Sequence, residues 1–261
     1  MSQAEGPFAS LKVMSRAGFG WRHSVVTLML VLAPMPLAVI VMTTGLGAWA
    51  TWLVLDGAPA GLPAAPDLRL YGLLSYAVGS WLAVALALVW TKRRSLRSDV
   101  FKFRRLTVPA LAASLVGFGV VALGVPIVTH WLTSATGHRS QDVQVDLHDA
   151  KSIAIVALLF VVTTPVTEEI LYRGLLVSWL RRRGWQDSNI LALGTLIFAA
   201  NHIIPLGLVW AAAMILLGLV TYALRLRFES LSPAWLAHTL FNAQLTLSYP
   251  LIAWLYRLTN G

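Results

Sequence analysis

The composition of this 261-residue chain excludes an ordinary soluble domain. Hydrophobic residues make up 57% and charged residues 12%, whereas an average soluble domain has roughly 45–50% and about 25%. The net charge of +9, from 20 Lys and Arg against 11 Asp and Glu, is typical of the cytoplasmic loops of a membrane protein and does not indicate nucleic-acid binding. Because there is no cysteine, disulfides, thiolate nucleophiles and Cys-based metal sites are excluded.

Seven apolar segments, separated by polar or basic loops, follow one another along the chain. They cover residues 24–55, 70–90, 108–132, 152–180, 189–204, 206–224 and 233–256. The first is about twice as long as the apolar core of a signal peptide, roughly 7–15 residues, so we interpret it as a retained span that Pro34 and Pro36 can kink or break. The sequence therefore predicts an all-α integral membrane protein with about seven transmembrane helices. A count of eight is also open, and the first segment could form either one span or one span plus an interfacial segment.

Most Lys and Arg residues lie on one side of the predicted membrane. The N-terminal tail and the loops at 92–105, 181–183 and 225–227 hold 15 of them, and the opposite side holds four. Because positively charged loops stay in the cytoplasm, we expect the N-terminus and these loops to be cytoplasmic and the loop at 142–149 to be outside. The bilayer is the partner expected for loop 92–105, through its anionic lipids.

The fourth apolar segment contains charges that a membrane span ordinarily excludes. An isolated charge near the bilayer centre costs at least about 2.5–3.5 kcal/mol, yet Glu168, Glu169 and Arg173 lie within six positions. Glu169 and Arg173 are four residues apart, so they share a helix face and can form an internal ion pair. Glu168 has Tyr172 at the corresponding position and no local cation. Its carboxylate is therefore expected to face water, a metal ion or another helix.

The fifth and seventh segments add polar residues at helical spacing. Phe198 and His202 are four residues apart in the fifth segment, as are His238 and Asn242 in the seventh. A single His or Asn inside a membrane most often forms a hydrogen bond between helices. At ~1.5 Å per residue, however, Glu168, His202, His238 and Asn242 all fall roughly 12–20 Å below the cytoplasmic boundary. We therefore predict that these four side chains converge in one cavity.

Three motifs in this order resemble the signature of the CPBP intramembrane endopeptidases, the CAAX-protease and bacteriocin-processing (Abi) family. The motifs are Glu168-Glu169-x-x-x-Arg173, Phe198-x-x-x-His202 and His238-x-x-x-Asn242. The resemblance covers residues 151–246, which we interpret as a catalytic helical core. Residues 1–150 would form N-terminal helices and loops, and residues 247–261 the end of the last span and the tail. Glu169 and Arg173 would be the supporting pair, and Phe198 a packing residue.

The resemblance implies a fold and a reaction. The core helices would enclose an intramembrane cavity open to the cytoplasm, where a peptide bond of a membrane-associated protein or peptide is hydrolysed. Glu168 would be the general base acting on water, and His202 would hold that water. His238 and Asn242 would bind the oxyanion.

The residue types favour water as the nucleophile, because the motifs contain no serine and the chain no cysteine. Imidazole and amide N–H groups suit a developing oxyanion, for which one donor contributes roughly 3–4 kcal/mol. Zinc is the competing mechanism, with Glu168, His202 and His238 as its ligands. Because the HExxH helix of zinc peptidases is absent, the metal-free mechanism without a cofactor is favoured.

Two other classes of function remain open at this point. Intramembrane acids and histidines also line ion and proton pathways, and Pro165 and Pro205 could mark the broken helices of a transporter. The polar residues cluster at one depth, whereas an ion or proton pathway would need them at successive depths across the bilayer. The third class is a non-catalytic immunity or adaptor protein with the same fold, which the intact motifs disfavour.

Overall fold

A computed structural model describes residues 21–55, 65–92, 96–137 and 150–260, and these residues form helices without any strand. The helices are α1 (Trp21–Leu32), α2 (Pro34–Leu55), α3 (Ala65–Lys92), α4 (Arg97–Val100), α5 (Val108–Thr136), α6 (150–182), α7 (Asp187–Asn201), α8 (Ile203–Phe228) and α9 (Leu231–Asn260). α6 joins Ala150–Val156, Ala157–Thr163, Thr164–Glu168, Glu169–Leu176 and Val177–Arg182 end to end. The all-helical class predicted from the sequence is confirmed for this part of the chain.

Five of the described helices are long and apolar enough to cross a membrane. They are Pro34–Leu55, Leu70–Lys92, Val108–Thr136, Ile153–Arg182 and Ile203–Phe228. α7 has 15 residues, fewer than the ~20 that a perpendicular span needs. The structure thus supports a protein that crosses the membrane several times, and the total of seven or eight spans stays a prediction.

The long first apolar segment divides at the predicted proline. α1 ends at Leu32 and α2 begins at Pro34, because proline has no amide hydrogen to continue the hydrogen bonds of α1. α1 has 12 residues, a length of about 18 Å, which is short for a bilayer. Of the two arrangements expected for this segment, a span plus an interfacial helix fits these lengths better.

α6 is wound irregularly where it carries its charges. Two stretches, Ala157–Thr163 and Glu169–Leu176, are π-helical, a winding that is frequent at functional sites. Pro165 between them has no amide to donate, and the hydroxyl of Thr164 donates to the carbonyl of Leu159 at 3.0 Å. Side-chain hydroxyls of this kind satisfy backbone groups that a membrane cannot hydrate.

Small residues bring the helices around α6 close together. A Cβ atom added to Gly117 or Gly124 of α5 would overlap the side chain of Val220 or Leu216 on α8. Glycine is favoured at such positions because helices in lipid associate through close packing. The side of α8 that carries Thr221 and Tyr222 is thereby held against the rest of the bundle.

The basic segment that follows α3 is attached to the motif helix. A Cβ atom at Gly174 would overlap the carbonyl oxygen of Val100 in α4, so α4 lies directly on the backbone of α6. Arg225 of α8 is 2% exposed and donates to the carbonyls of Arg173 at 3.0 Å and Asp99 at 3.3 Å. One buried guanidinium therefore connects α4, α6 and α8 beside the motif residues.

Candidate active site

Glu168 lies at the centre of the bundle, with its two carboxylate oxygens in different surroundings. The residue is 2% exposed. Oε1 accepts a hydrogen bond of 2.8 Å from the hydroxyl of Tyr76 on α3. Oε2 has no hydrogen-bond partner among the described residues and lies 3.8 Å from Nε2 of His238. The carboxylate is therefore fixed by one oxygen and available through the other.

His238 of α9 lies between the two adjacent carboxylates of α6. Its Nδ1 is 2.9 Å from Oε1 of Glu169, and its Nε2 faces Glu168. Because an ionised carboxylate only accepts hydrogen bonds, Nδ1 must be the donor to Glu169. The imidazole is thus oriented by Glu169 so that Nε2 points to the free oxygen of Glu168.

The predicted ion pair of the first motif is present and fully buried. Arg173 lies 3.3 Å from Glu169, and both side chains are 0% exposed. The guanidinium carbon is 4.1 Å from the ring centre of Phe198 and 4.5 Å from that of Tyr222. One Arg173 nitrogen also donates to the hydroxyl of Thr221. Cation–π contacts and a hydrogen bond thereby supplement the ion pair in stabilising this buried charge.

Phe198 packs against the histidines as well as against Arg173. Its ring is fully buried and lies 4.6 Å from the imidazole of His202 and 6.1 Å from that of His238, measured between ring centres. His202 follows directly after α7, and its Nδ1 is 2.8 Å from the carbonyl oxygen of Phe198. The imidazole of His202 is half-buried. Both imidazoles therefore pack on the ring of Phe198, and His238 is the one whose Nε2 faces Glu168.

Asn242 lies one helical turn beyond His238 and has a different contact. Its side-chain amide donates to the carbonyl of Phe160 in the first π-helical stretch of α6, at 2.8 Å. The residue is 3% exposed. Asn242 is therefore buried on the same helix as His238, with one of its two amide hydrogens already bound to backbone.

Three further histidines lie in or near the loop that follows α5. His130 is exposed near the end of α5. His138 and His148 lie outside the described residues. Across the described ranges, no three His, Asp or Glu side chains form a group that could hold a metal ion.

Sequence reasoning missed the uncharged residues that complete the site. Tyr76, Thr221 and Tyr222 contact Glu168 or Arg173 from α3 and α8. A single Tyr or Thr in an apolar segment is ordinary, so no composition or spacing signal marks them. The sequence indicated only that a charge without a local partner, such as Glu168, needs a partner on another helix.

The segment that carries the motifs also matches a known family. Residues 150–244 match the family model described as Type II CAAX prenyl endopeptidase Rce1-like. No curated protein and no solved structure matches the chain. The match covers less than half of the chain and includes every residue of the three motifs. The resemblance to the CAAX-protease family is thereby confirmed for the segment that carries the motifs, in a chain with several helices long and apolar enough to cross a membrane.

Proposed function

We propose that this protein is an intramembrane endopeptidase that hydrolyses a peptide bond in a membrane-associated protein or peptide. The observation that carries the proposal is the free oxygen of Glu168, which is buried and lies 3.8 Å from His238 Nε2. A buried carboxylate oxygen without a donor is expected to bind water. The match to a protease family supports peptide hydrolysis over other uses of such a group.

The reaction needs only the side chains of this site and one water molecule. Glu168 Oε2 accepts a proton from the water as its oxygen bonds to the peptide carbonyl carbon. When the C–N bond breaks, Glu168 returns this proton to the nitrogen of the leaving amine. His202, whose Nδ1 is occupied by the Phe198 carbonyl, presents Nε2 as the group that holds the water.

His238 and Asn242 stabilise the negative charge that develops on the carbonyl oxygen. Because His238 donates from Nδ1 to Glu169, only its doubly protonated form can also donate from Nε2 to the oxyanion. Asn242 keeps one amide hydrogen beside the one bound to Phe160. One such donor contributes about 3–4 kcal/mol to stabilising the transition state.

The metal-free mechanism is part of the proposal and has its own test. The residues that the structure describes do not form a group that could hold a metal ion. We therefore expect peptide cleavage to persist in 1,10-phenanthroline. Inactivation by the chelator with recovery on adding zinc would contradict this mechanism and assign Glu168, His202 and His238 as ligands.

We further propose that the site opens to the cytoplasm, as the 15-to-4 distribution of Lys and Arg indicates. The chain has no native cysteine, so a single introduced cysteine reports one position cleanly. A Ser140→Cys variant should react with an impermeant maleimide added from outside. Labelling only from the cytoplasmic side would reverse the orientation.

The function is tested with purified protein in liposomes and three kinds of membrane-bound peptide. The probes are a prenylated C-terminal peptide, a leader peptide and a transmembrane segment, each analysed by mass spectrometry. Cleavage of one probe by the wild type but not by Glu168→Ala supports the proposal. If no probe is cleaved in a Glu168-dependent manner, while an ion flux through the liposomes depends on Glu168, the protein is a transporter instead.

A further inference from the structure

We infer that Tyr76 is a positioning residue for Glu168, so that α3, outside the segment that matches the protease family, completes the site. This inference rests on the proposed function, because it gives Glu168 the role of general base. The family match begins at residue 150, whereas Tyr76 lies in α3, 92 positions before Glu168. The catalytic carboxylate therefore depends on a part of the chain to which the three motifs give no role.

The hydrogen bond has the geometry of a strong orienting contact. The Tyr76 hydroxyl lies 2.8 Å from Oε1 of Glu168, within the normal range for an O–H donor. A phenol has one hydrogen to donate, and a bond to an ionised acceptor is roughly twice as strong as one between neutral groups. Because Oε1 is held in this way, Oε2 is the oxygen that faces His238.

The packing of α3 keeps Tyr76 in register with Glu168. Ser75, Ala77 and Ser80 around it are buried, and a Cβ atom at Gly79 would overlap the backbone of α2. Tyr76 itself is half-buried. A helix packed this closely positions the phenol better than a loop would. Such precise placement is the condition for orienting a reacting group.

The other polar groups near Glu168 do not donate to Oε1 in the described part of the chain. His238 approaches Oε2, and His202 is bound through Nδ1 to Phe198. Tyr172 lies one turn along α6, and its hydroxyl has no hydrogen-bond partner among the described residues. Within the described part of the chain, Oε1 of Glu168 thus receives its hydrogen bond from α3.

The test compares two identical substitutions on one helix. Tyr76→Phe removes the donor and keeps the ring. Tyr71→Phe on the same helix removes a hydroxyl that lies against Gly45 of α2, away from Glu168. We expect kcat for the cleaved peptide to fall about 10- to 100-fold in Tyr76→Phe, with KM within about twofold, and both constants to stay near wild type in Tyr71→Phe.

Infrared spectroscopy provides a readout that does not require cleavage. The carboxylate band of Glu168, identified by its loss in Glu168→Gln, should shift in Tyr76→Phe and not in Tyr71→Phe. An unshifted band, or a shifted band with unchanged kcat, overturns the inference and leaves the proposed function standing. If the wild type cleaves no peptide although the band shifts, the proposed function fails, and the catalytic role of Tyr76 fails with it.

Discussion

Helices α2 and α6 have almost the same hydropathy and very different positions in the molecule. Their most apolar windows have mean hydropathies of 1.7 and 1.9, yet 6% of the α2 window is buried within the protein against 50% for α6. α2 has no charged residue, whereas Glu168, Glu169 and Arg173 of α6 are all buried. Hydropathy thus predicts that both helices enter a membrane. The buried charges show that the other helices pack around α6.

The difference has a direct physical basis. Lipid offers no partner to the buried charges of α6. In addition to the ion pair within α6, hydrogen bonds or ring faces from α3, α7, α8 and α9 therefore stabilise these charges. Polar groups on α2 need no such partner. Thr43 and Thr51 donate to backbone carbonyls one turn earlier in the same helix. Equivalent substitutions on the two helices should therefore have unequal effects.

The largest effect on stability is expected from separating the buried ion pair of α6. Glu169→Gln leaves Arg173 without its counter-charge and should lower the free energy of unfolding by about 3–5 kcal/mol, measured by denaturant titration in mixed micelles. Peptide cleavage should fall with it, since Glu169 also orients His238. The double variant Glu169→Gln with Arg173→Met should regain part of the lost stability. A single variant as stable as the wild type would show that the pair is not structurally required.

A smaller effect is expected from adding one methyl group to either helix. Gly174→Ala on α6 places a Cβ atom against the carbonyl oxygen of Val100 and should destabilise the protein by about 2–3 kcal/mol. Gly47→Ala on α2 has no atom within 4 Å of the new Cβ, so stability should stay unchanged or rise by up to about 1 kcal/mol. Equal losses in the two variants, measured by thermal unfolding in detergent, would contradict the contrast between the helices.

The smallest contrast comes from replacing a threonine hydroxyl by a methyl group. Thr221→Val on α8 removes an acceptor of Arg173 and should cost about 1–2 kcal/mol in unfolding free energy. The matched change Thr43→Val on α2 affects an exposed side chain bound only to its own helix, so it should stay within about 0.5 kcal/mol. A Thr221→Val variant as stable as Thr43→Val would mean that α8 does not contribute to holding the Arg173 charge.

The sequence was informative where a feature is local along the chain. The ion pair of Glu169 and Arg173 follows from their spacing of four residues, and the break before Pro34 follows from proline chemistry. The apolar segments also predicted the helical membrane fold, because length and hydropathy are local properties.

Contacts between helices were less predictable, because they depend on how each helix is rotated and at what depth. The shared depth of Glu168 and His238 predicted their approach, whereas nothing in the sequence linked Tyr76 to Glu168. The π-helical stretches of α6 also change the rotation of every later residue. Asn242 donates to the carbonyl of Phe160 in the first of these stretches, a contact that regular helical spacing does not suggest.

The central claim is that Glu168 acts on water through its free oxygen, and its most direct test is the Glu168→Gln variant. The amide oxygen can still accept the hydrogen bond from Tyr76, so the free energy of unfolding should stay within about 1 kcal/mol of wild type. kcat/KM for peptide cleavage should fall by at least about 100-fold, because an amide cannot take up the proton. A folded Glu168→Gln protein that cleaves peptide at close to the wild-type rate would contradict the account.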